Sequence, residues 1–339
     1  MLSAPDSSLL IIDHIPTENL SDTEQKARYA LLKSMALDKN YIDTTTFDVL
    51  QPAIDYYLDH GTPDERLRTL YYQGRIFLNK SDFDMAMQCF LKATDLKNEC
   101  RDTLTFANML VAQSILNFFS YQMEDYVSNN LIAADLYDKL SHDEYRQSSL
   151  IKALDGSIAS GNKQLSDSIM TIVDSLSVIL PESREESELV HQTYSIAFEP
   201  NNVIAEMLDT ISDYTIKSDA AKLNIAAAYL KLNQYKKAYD VLKLIDSGSE
   251  IAKSIRYLQL KPEILRADSR YNEALDAYKA YFNAVDNENS KIFYQKTTVA
   301  DERHKLEIEN LNQIQDRDKI IWLSVCSILL LLLVIGVIS

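Results

Sequence analysis

The groups in this chain with chemistry to offer are five histidines, three cysteines and an excess of carboxylates. His14, His60, His142, His191 and His304 form no pair at i, i+3 or i, i+4, the spacing that sets two imidazoles on one helix face for a metal. Cys89, Cys100 and Cys326 are too few and too scattered for a disulfide framework or a zinc site. Glu185 and Glu186 are adjacent, so on a helix they do not face each other as an acid–base pair must. There is no G-x-S-x-G, no G-x-G-x-x-G and no G-x-x-x-x-G-K-[ST]. Nothing gathers an activated nucleophile with a base, so the expectation is a non-enzyme with no metal and no cofactor. Fifty acidic against 34 basic residues leave a net charge of −16, with no concentrated basic patch, and such a chain repels nucleic acid.

Composition then points to the elements. Six glycines and seven prolines fall well below the usual roughly 7% and 5%, which disfavours turn-rich sandwiches and barrels. Helix-start signals recur at Ser21-Asp22-Thr23-Glu24, Thr62-Pro63-Asp64-Glu65, Ser141-His142-Asp143-Glu144 and Ser247-Gly248-Ser249-Glu250, each fitting a capping box. Thr62-Pro63 adds proline at the first helical position, where no N–H is needed. Between them apolar residues recur at three and four, as in Leu67, Leu70, Gly74 and Phe77, which is helical period. The expected fold class is all-α.

One unit repeats within this background. Gly74, Phe77, Phe83, Ala86, Phe90 and Ala93 stand at positions 8, 11, 17, 20, 24 and 27 of a window opening at Leu67. Ala226, Tyr229, Tyr235, Ala238, Leu242 and Ile245 hold the same positions from Asp219, and Pro262, Leu265, Tyr271, Ala274, Tyr278 and Tyr281 from Ile255. Small residues at 8 and 20 let two helices of a hairpin approach, while larger ones fill the seam with the next hairpin. Ser81-Asp82-Phe83-Asp84, Asn233-Gln234-Tyr235-Lys236 and Ser269-Arg270-Tyr271-Asn272 read as the turns within each hairpin. A window from Asn108 fits loosely, and 142–217 holds helical patterns without a definable window. Pro262 is expected to shorten or kink its helix.

These residues resemble the tetratricopeptide repeat, a hairpin of about 34 residues. The resemblance implies a stacked solenoid over 21–290, with clear repeats near 67–100, 219–252 and 255–288, after a helical segment 1–20. It also implies that first-helix positions 2, 5, 9, 12 and 13 face a ligand groove. Carried over, these are Arg68, Tyr71, Arg75, Leu78 and Asn79, then Arg256, Gln259, Glu263, Arg266 and Ala267. The candidate groove residues are Arg68, Tyr71, Arg75, Asn79, Gln259 and Arg266. Two guanidiniums can fork a carboxylate, and Tyr71 offers a stacking face. The competing reading is that both arginines pair with acidic neighbours of this chain. Arg75→Ala is expected to spare the fold. The Lys and Asn clamp of chaperone-binding relatives is absent.

Pro5-Asp6-Ser7-Ser8-Leu9-Leu10, Tyr56-Tyr57-Leu58-Asp59-His60-Gly61 and the closing stretch Tyr278 to Ile338 extend the likeness. The layout resembles bacterial membrane-anchored tetratricopeptide-repeat proteins common in the Bacteroidetes. The uncharged run Ile320–Ile338 is long enough as a helix to span the roughly 30 Å hydrocarbon core, and 291–319 reads as a charged helix leading into it. Heptads there are too few to specify a coiled-coil dimer, and a homodimer is left open. Charge counting sees only Arg303, Lys305, Arg317 and Lys319 before the span and would keep the repeats cytoplasmic, as in a tail-anchored protein. The resemblance instead puts them in the periplasm of a single-pass inner-membrane protein. The resulting expectation is a peptide- or protein-binding repeat domain of a membrane signalling regulator, the alternative being a membrane-tethered scaffold.

Overall fold

The computed structural model describes residues 5–211 and 218–287. The helices run in chain order as α1 (Pro5–Asp13), α2 (Thr23–Lys39), α3 (Gln51–His60), α4 (Pro63–Asn79), α5 (Phe83–Asp95), α6 (Thr103–Phe119), α7 (Met123–Lys139) and α8 (Asp143–Ala159). They continue as α9 (Lys163–Ile179), α10 (Arg184–Phe198), α11 (Asn201–Thr210), α12 (Asp219–Lys231), α13 (Tyr235–Leu242), α14 (Glu250–Lys253), α15 (Ile255–Ala267) and α16 (271–287). There is no strand among the described residues. Consecutive helices pack as antiparallel hairpins, and α4 touches α6, α8 touches α10, α10 touches α12, and α12 touches α15. The first helices of successive hairpins therefore meet at these steps, the expected consequence of stacking hairpins that cannot bury their apolar faces alone.

The turns carry a common local device. Tyr41, Ser81, Tyr121, Ser141, Asn233 and Ser269 have φ between 55° and 63°, and Gly161 has φ 68°. After α4, the Ser81 N–H donates to Leu78 O and the Asp82 N–H to Phe77 O, both at 2.9 Å, which satisfies two of the carbonyls a helix end leaves open. Asp82 then caps the next helix by accepting from the Met85 amide. At Ser81, Tyr121, Ser141, Gly161, Asn233 and Ser269 one left-handed residue closes a helix and its neighbour opens the next, with almost no loop, whereas after Tyr41 residues 42–50 separate α2 from α3.

This device corrects the reading of the helix starts. Only Thr62 makes the full box, with Glu65 reaching back to its amide at 2.9 Å. Asp22 caps α2 in place of Ser21, and Ser249 caps α14 in place of Ser247. Ser141 ends α7 in the left-handed region instead of starting α8. Pro262 lies inside an uninterrupted α15, and the break in that region falls at Ser254, with ψ 144°.

The middle of the chain shows why a 34-residue window fails there. Tyr41, Ser81, Tyr121 and Gly161 stand at one equal spacing longer than that window. The cause is helix length: α4, α6, α7, α8 and α9 each have 17 residues, whereas α12 and α15 have 13. Residues 143–179 form a regular hairpin of longer helices, and a shorter pair follows, α10 with 15 residues and α11 with 10.

The small positions do what close packing requires. A Cβ on Gly74 would lie 2.4 Å from Cε1 of Phe90, a ring with no exposed surface, and Ala86 and Ala238 are fully buried. Gly156 is used differently: its missing Cβ would meet Val127 and Tyr126 of α7, the preceding helix.

The expectation of a single-pass inner-membrane protein with periplasmic repeats is corrected here. No helix among the described residues is long and apolar enough to cross a membrane. Helix α6 shows the reason: its 17 residues cover about 25 Å, short of the roughly 30 Å core, and include Asn108, Gln113, Ser114 and Asn117. The charged segment 291–319 and the run Ile320–Ile338 lie outside the described residues.

Candidate functional site

The first cluster of candidate groove residues lies along α4. Arg68 Nε donates to Asp102 Oδ2 at 2.5 Å. Asp102 is itself the cap of α6, accepting from the Thr105 amide at 3.1 Å, while Asp64 accepts from the Arg101 and Asp102 amides. Arg68 thus ties α4 to the start of α6. Arg75 lies 3.4 Å from Asp38 and 3.9 Å from Asp43, and it donates to the Tyr71 hydroxyl at 3.3 Å. Asn79 Nδ2 donates to Thr44 O at 3.1 Å. Tyr71 is buried edge-on to Tyr72, and burial pushes its phenol up to about 12. Of the two readings of these arginines, the structure shows internal pairing: they hold α4 against the end of α2, the segment after it and the start of α6. The Tyr71 ring has no open face for stacking.

The second cluster is looser. Gln259 is exposed on α15, and Arg266, also exposed, donates to Glu263 at 2.9 Å. Tyr278 of α16 donates to the same carboxylate at 2.7 Å, which together with Arg266 holds Glu263 below the usual range. Cys89 is buried in the α5 seam, and burial raises its thiol to about 12, so no thiolate is present at neutral pH. Among the described residues no group of three metal-ligating side chains converges.

Concave features lie elsewhere, one of about 680 Å³ between α10 and α11 and another that gathers charged groups from three helices. A cavity of about 490 Å³ opens between α8, α10, α12 and the α14–α15 junction. Its apolar wall includes Ile151, Leu189, Val190, Leu223 and Ile251, and its charged groups are Lys152, Asp155, Glu186 and Arg256. Such a volume suits a ligand of a few residues. Desolvation raises Asp155 to about 6 even though Arg256 and Lys152 pull its pKa down, and desolvation likewise lowers Lys152 and Arg256. Asp155 keeps contact with solvent while protein crowds it, as expected for a group lining an open cavity. Lys152 Nζ donates to Ser148 Oγ at 2.6 Å.

The floor is held by polar contacts across the α10–α12 seam. Asn224, 2% exposed, donates to Leu189 O at 3.1 Å and Gln192 Oε1 at 3.2 Å. Lys231 further along α12 donates to Ile196 O at 2.6 Å and Glu199 O at 3.2 Å. None of the six candidate groove residues lines this cavity. Arg256 does, and it holds position 2 of its repeat. Lys152 and Asp155, an opposite-charge i, i+3 pair beside Gly156, were the remaining signal in the sequence. They lay in the stretch where the window of fixed length gave no register.

Compared with known proteins, the chain matches no family model and no curated protein sequence. It does resemble a solved structure, the crystal structure of Rap protein complexed with competence and sporulation factor. The TM-score is 0.52 at 10% identity, over 90% of this chain and 94% of that one. At that identity the likeness is one of fold: an all-α helical-repeat architecture shared across nearly the whole length of both chains.

Proposed function

We propose that this chain is a non-catalytic helical-repeat protein that binds an extended peptide segment, presented alone or as part of a larger protein, along the inner layer of its hairpins. The observation that carries the reading is the cavity between α8, α10, α12 and α15, which combines an apolar wall with charged and amide groups converging from separate hairpins. A solenoid suits such a ligand because shallow contacts add along successive repeats. The likeness to a repeat protein solved with a factor bound supports the same reading.

A random peptide display selection on the immobilised chain tests it, with Ala220→Trp as the counter-target. Ala220 is a half-buried wall residue, and an indole there fills the mouth. Enriched peptides are expected to bind the native chain and not Ala220→Trp, provided both melt alike. No enrichment, or equal binding to both, overturns the proposal.

A further inference from the structure

Four charged side chains enter the cavity from three elements: Lys152 and Asp155 from α8, Glu186 from α10 and Arg256 from α15. Their signs balance, yet contact does not neutralise them. Asp155, Glu186 and Arg256 make no hydrogen bond or ion pair with any described residue, although Asp155 and Arg256 act on each other through space. The arginines of α4 and α8 behave otherwise, with Arg68, Arg75 and Arg146 each within 3.4 Å of a carboxylate. A second unmet group stands beside them. Asn224 spends both contacts at its amide nitrogen and leaves Oδ1 buried with no partner. That oxygen can only accept, and a peptide N–H is the donor an extended segment brings.

A ligand of one sign would satisfy one wall and be repelled by the other. A ligand carrying both signs at the right separation meets every unmet group together, and each charge-assisted contact is stronger where water is partly excluded. This argument rests on the cavity being a peptide site and concerns what the peptide must carry. We propose that the cavity selects a dipolar segment, with a basic side chain received by Asp155 and Glu186, a carboxylate received by Arg256, and a backbone N–H between them given to Asn224 Oδ1.

The test uses the full chain and four labelled hexapeptide pools read by fluorescence anisotropy. One pool fixes Arg and Asp two or three residues apart; the others fix Arg alone, Asp alone, or no charge. The dipolar pool is expected to bind about tenfold tighter than any other, the gain of one charge-assisted contact over a single-sign ligand. Asp155→Asn should erase the advantage of Arg, and Arg256→Gln the advantage of Asp, each without changing the far-UV spectrum. Should Asp155→Asn fail to fold, Glu186→Gln reads the same wall. Preferences that survive both substitutions overturn the proposal. So does an uncharged pool that binds as tightly as the dipolar one; if Ala220→Trp abolishes that binding, the peptide site stands and only the charge selection falls. No binding by any pool removes both.

Discussion

Asp155 and Arg75 show how much one side chain's surroundings change its meaning. Protein packed around Asp155 lifts it to about 6 from an ordinary carboxylate value near 4. The groups facing it are Tyr126 of α7, Lys152 of its own helix and Arg256 of α15, with Glu186 of α10 acting on Lys152. The folded chain holds this proton more tightly than the unfolded chain. The stability gained is therefore fully present below about pH 4 and is lost as pH rises through about 6. Asp155→Asn is expected to raise stability at pH 7.5 by less than about 1 kcal/mol, reduced by the solvent that reaches the carboxyl. At pH 4 it should change nothing. Equal gains in melting temperature at both pH values would show that another group is responsible. Arg75→Ala, neutral to the fold on a reading of the sequence alone, strands the buried Tyr71 hydroxyl and Asp38. We expect a loss of about 1–2 kcal/mol in urea unfolding, whereas Arg266→Ala should leave the unfolding midpoint where it is, since Arg266 is exposed and Glu263 keeps the Tyr278 hydroxyl.

The helices meet through two devices, close approach at small residues and left-handed turn closures, and each can be broken by one substitution. Gly74→Ala forces a methyl into the Phe90 ring, which has nowhere to move, and is expected to cost about 1–3 kcal/mol by overpacking. A denaturation midpoint unchanged from native would mean that α4 and α5 can separate without loss, contrary to their packing. Ser81→Val puts a β-branched residue at φ 59° and should cost about 1–2 kcal/mol. Ser81→Gly should cost nothing or stabilise slightly. The pair of variants separates strain at the turn from any role of the hydroxyl, because loss of the hydroxyl would harm both alike.

The whole array is not uniformly held. One apolar cluster joins α2 through α7, including Phe90, Met109 and Tyr137, and a second joins α7 through α10, including Leu154, Ile169 and Val190. Helix α7 contributes to both, so they are locked together. A third cluster, with Leu223, Ala238 and Ile264, belongs to α12, α13 and α15. Between the second and third clusters the α10–α12 seam is bridged by the amide and ammonium contacts of Asn224 and Lys231, and the cavity opens there. In a one-dimensional stack the weakest interface sets where the chain opens first. Native-state hydrogen exchange is expected to show α12–α15 opening at lower free energy than α6–α8. A peptide in the cavity should raise protection at this seam more than elsewhere. Uniform protection across the array would show a single cooperative unit.

Helical period, the scarcity of glycine and proline, and the paired small and aromatic positions from Leu67, Asp219 and Ile255 determined the all-α hairpin stack, because those signals are local and repeat wherever a hairpin must close. The same locality concealed the rest. The 17-residue helices of the middle hairpins shift the register, so Lys152 and Asp155 of α8, and Glu186 of the α10 that follows them, fell in no window. Left-handed closures at serine, tyrosine and asparagine leave no glycine to mark them. Whether an arginine is free for a ligand depends on which carboxylates the fold brings to it. Arg68 meets Asp102 and Arg75 meets Asp38 across hairpins, while Arg256, at an equivalent repeat position to Arg68, is left facing a cavity. That difference is set by contacts between residues far apart in the chain, and only the tertiary structure decides it.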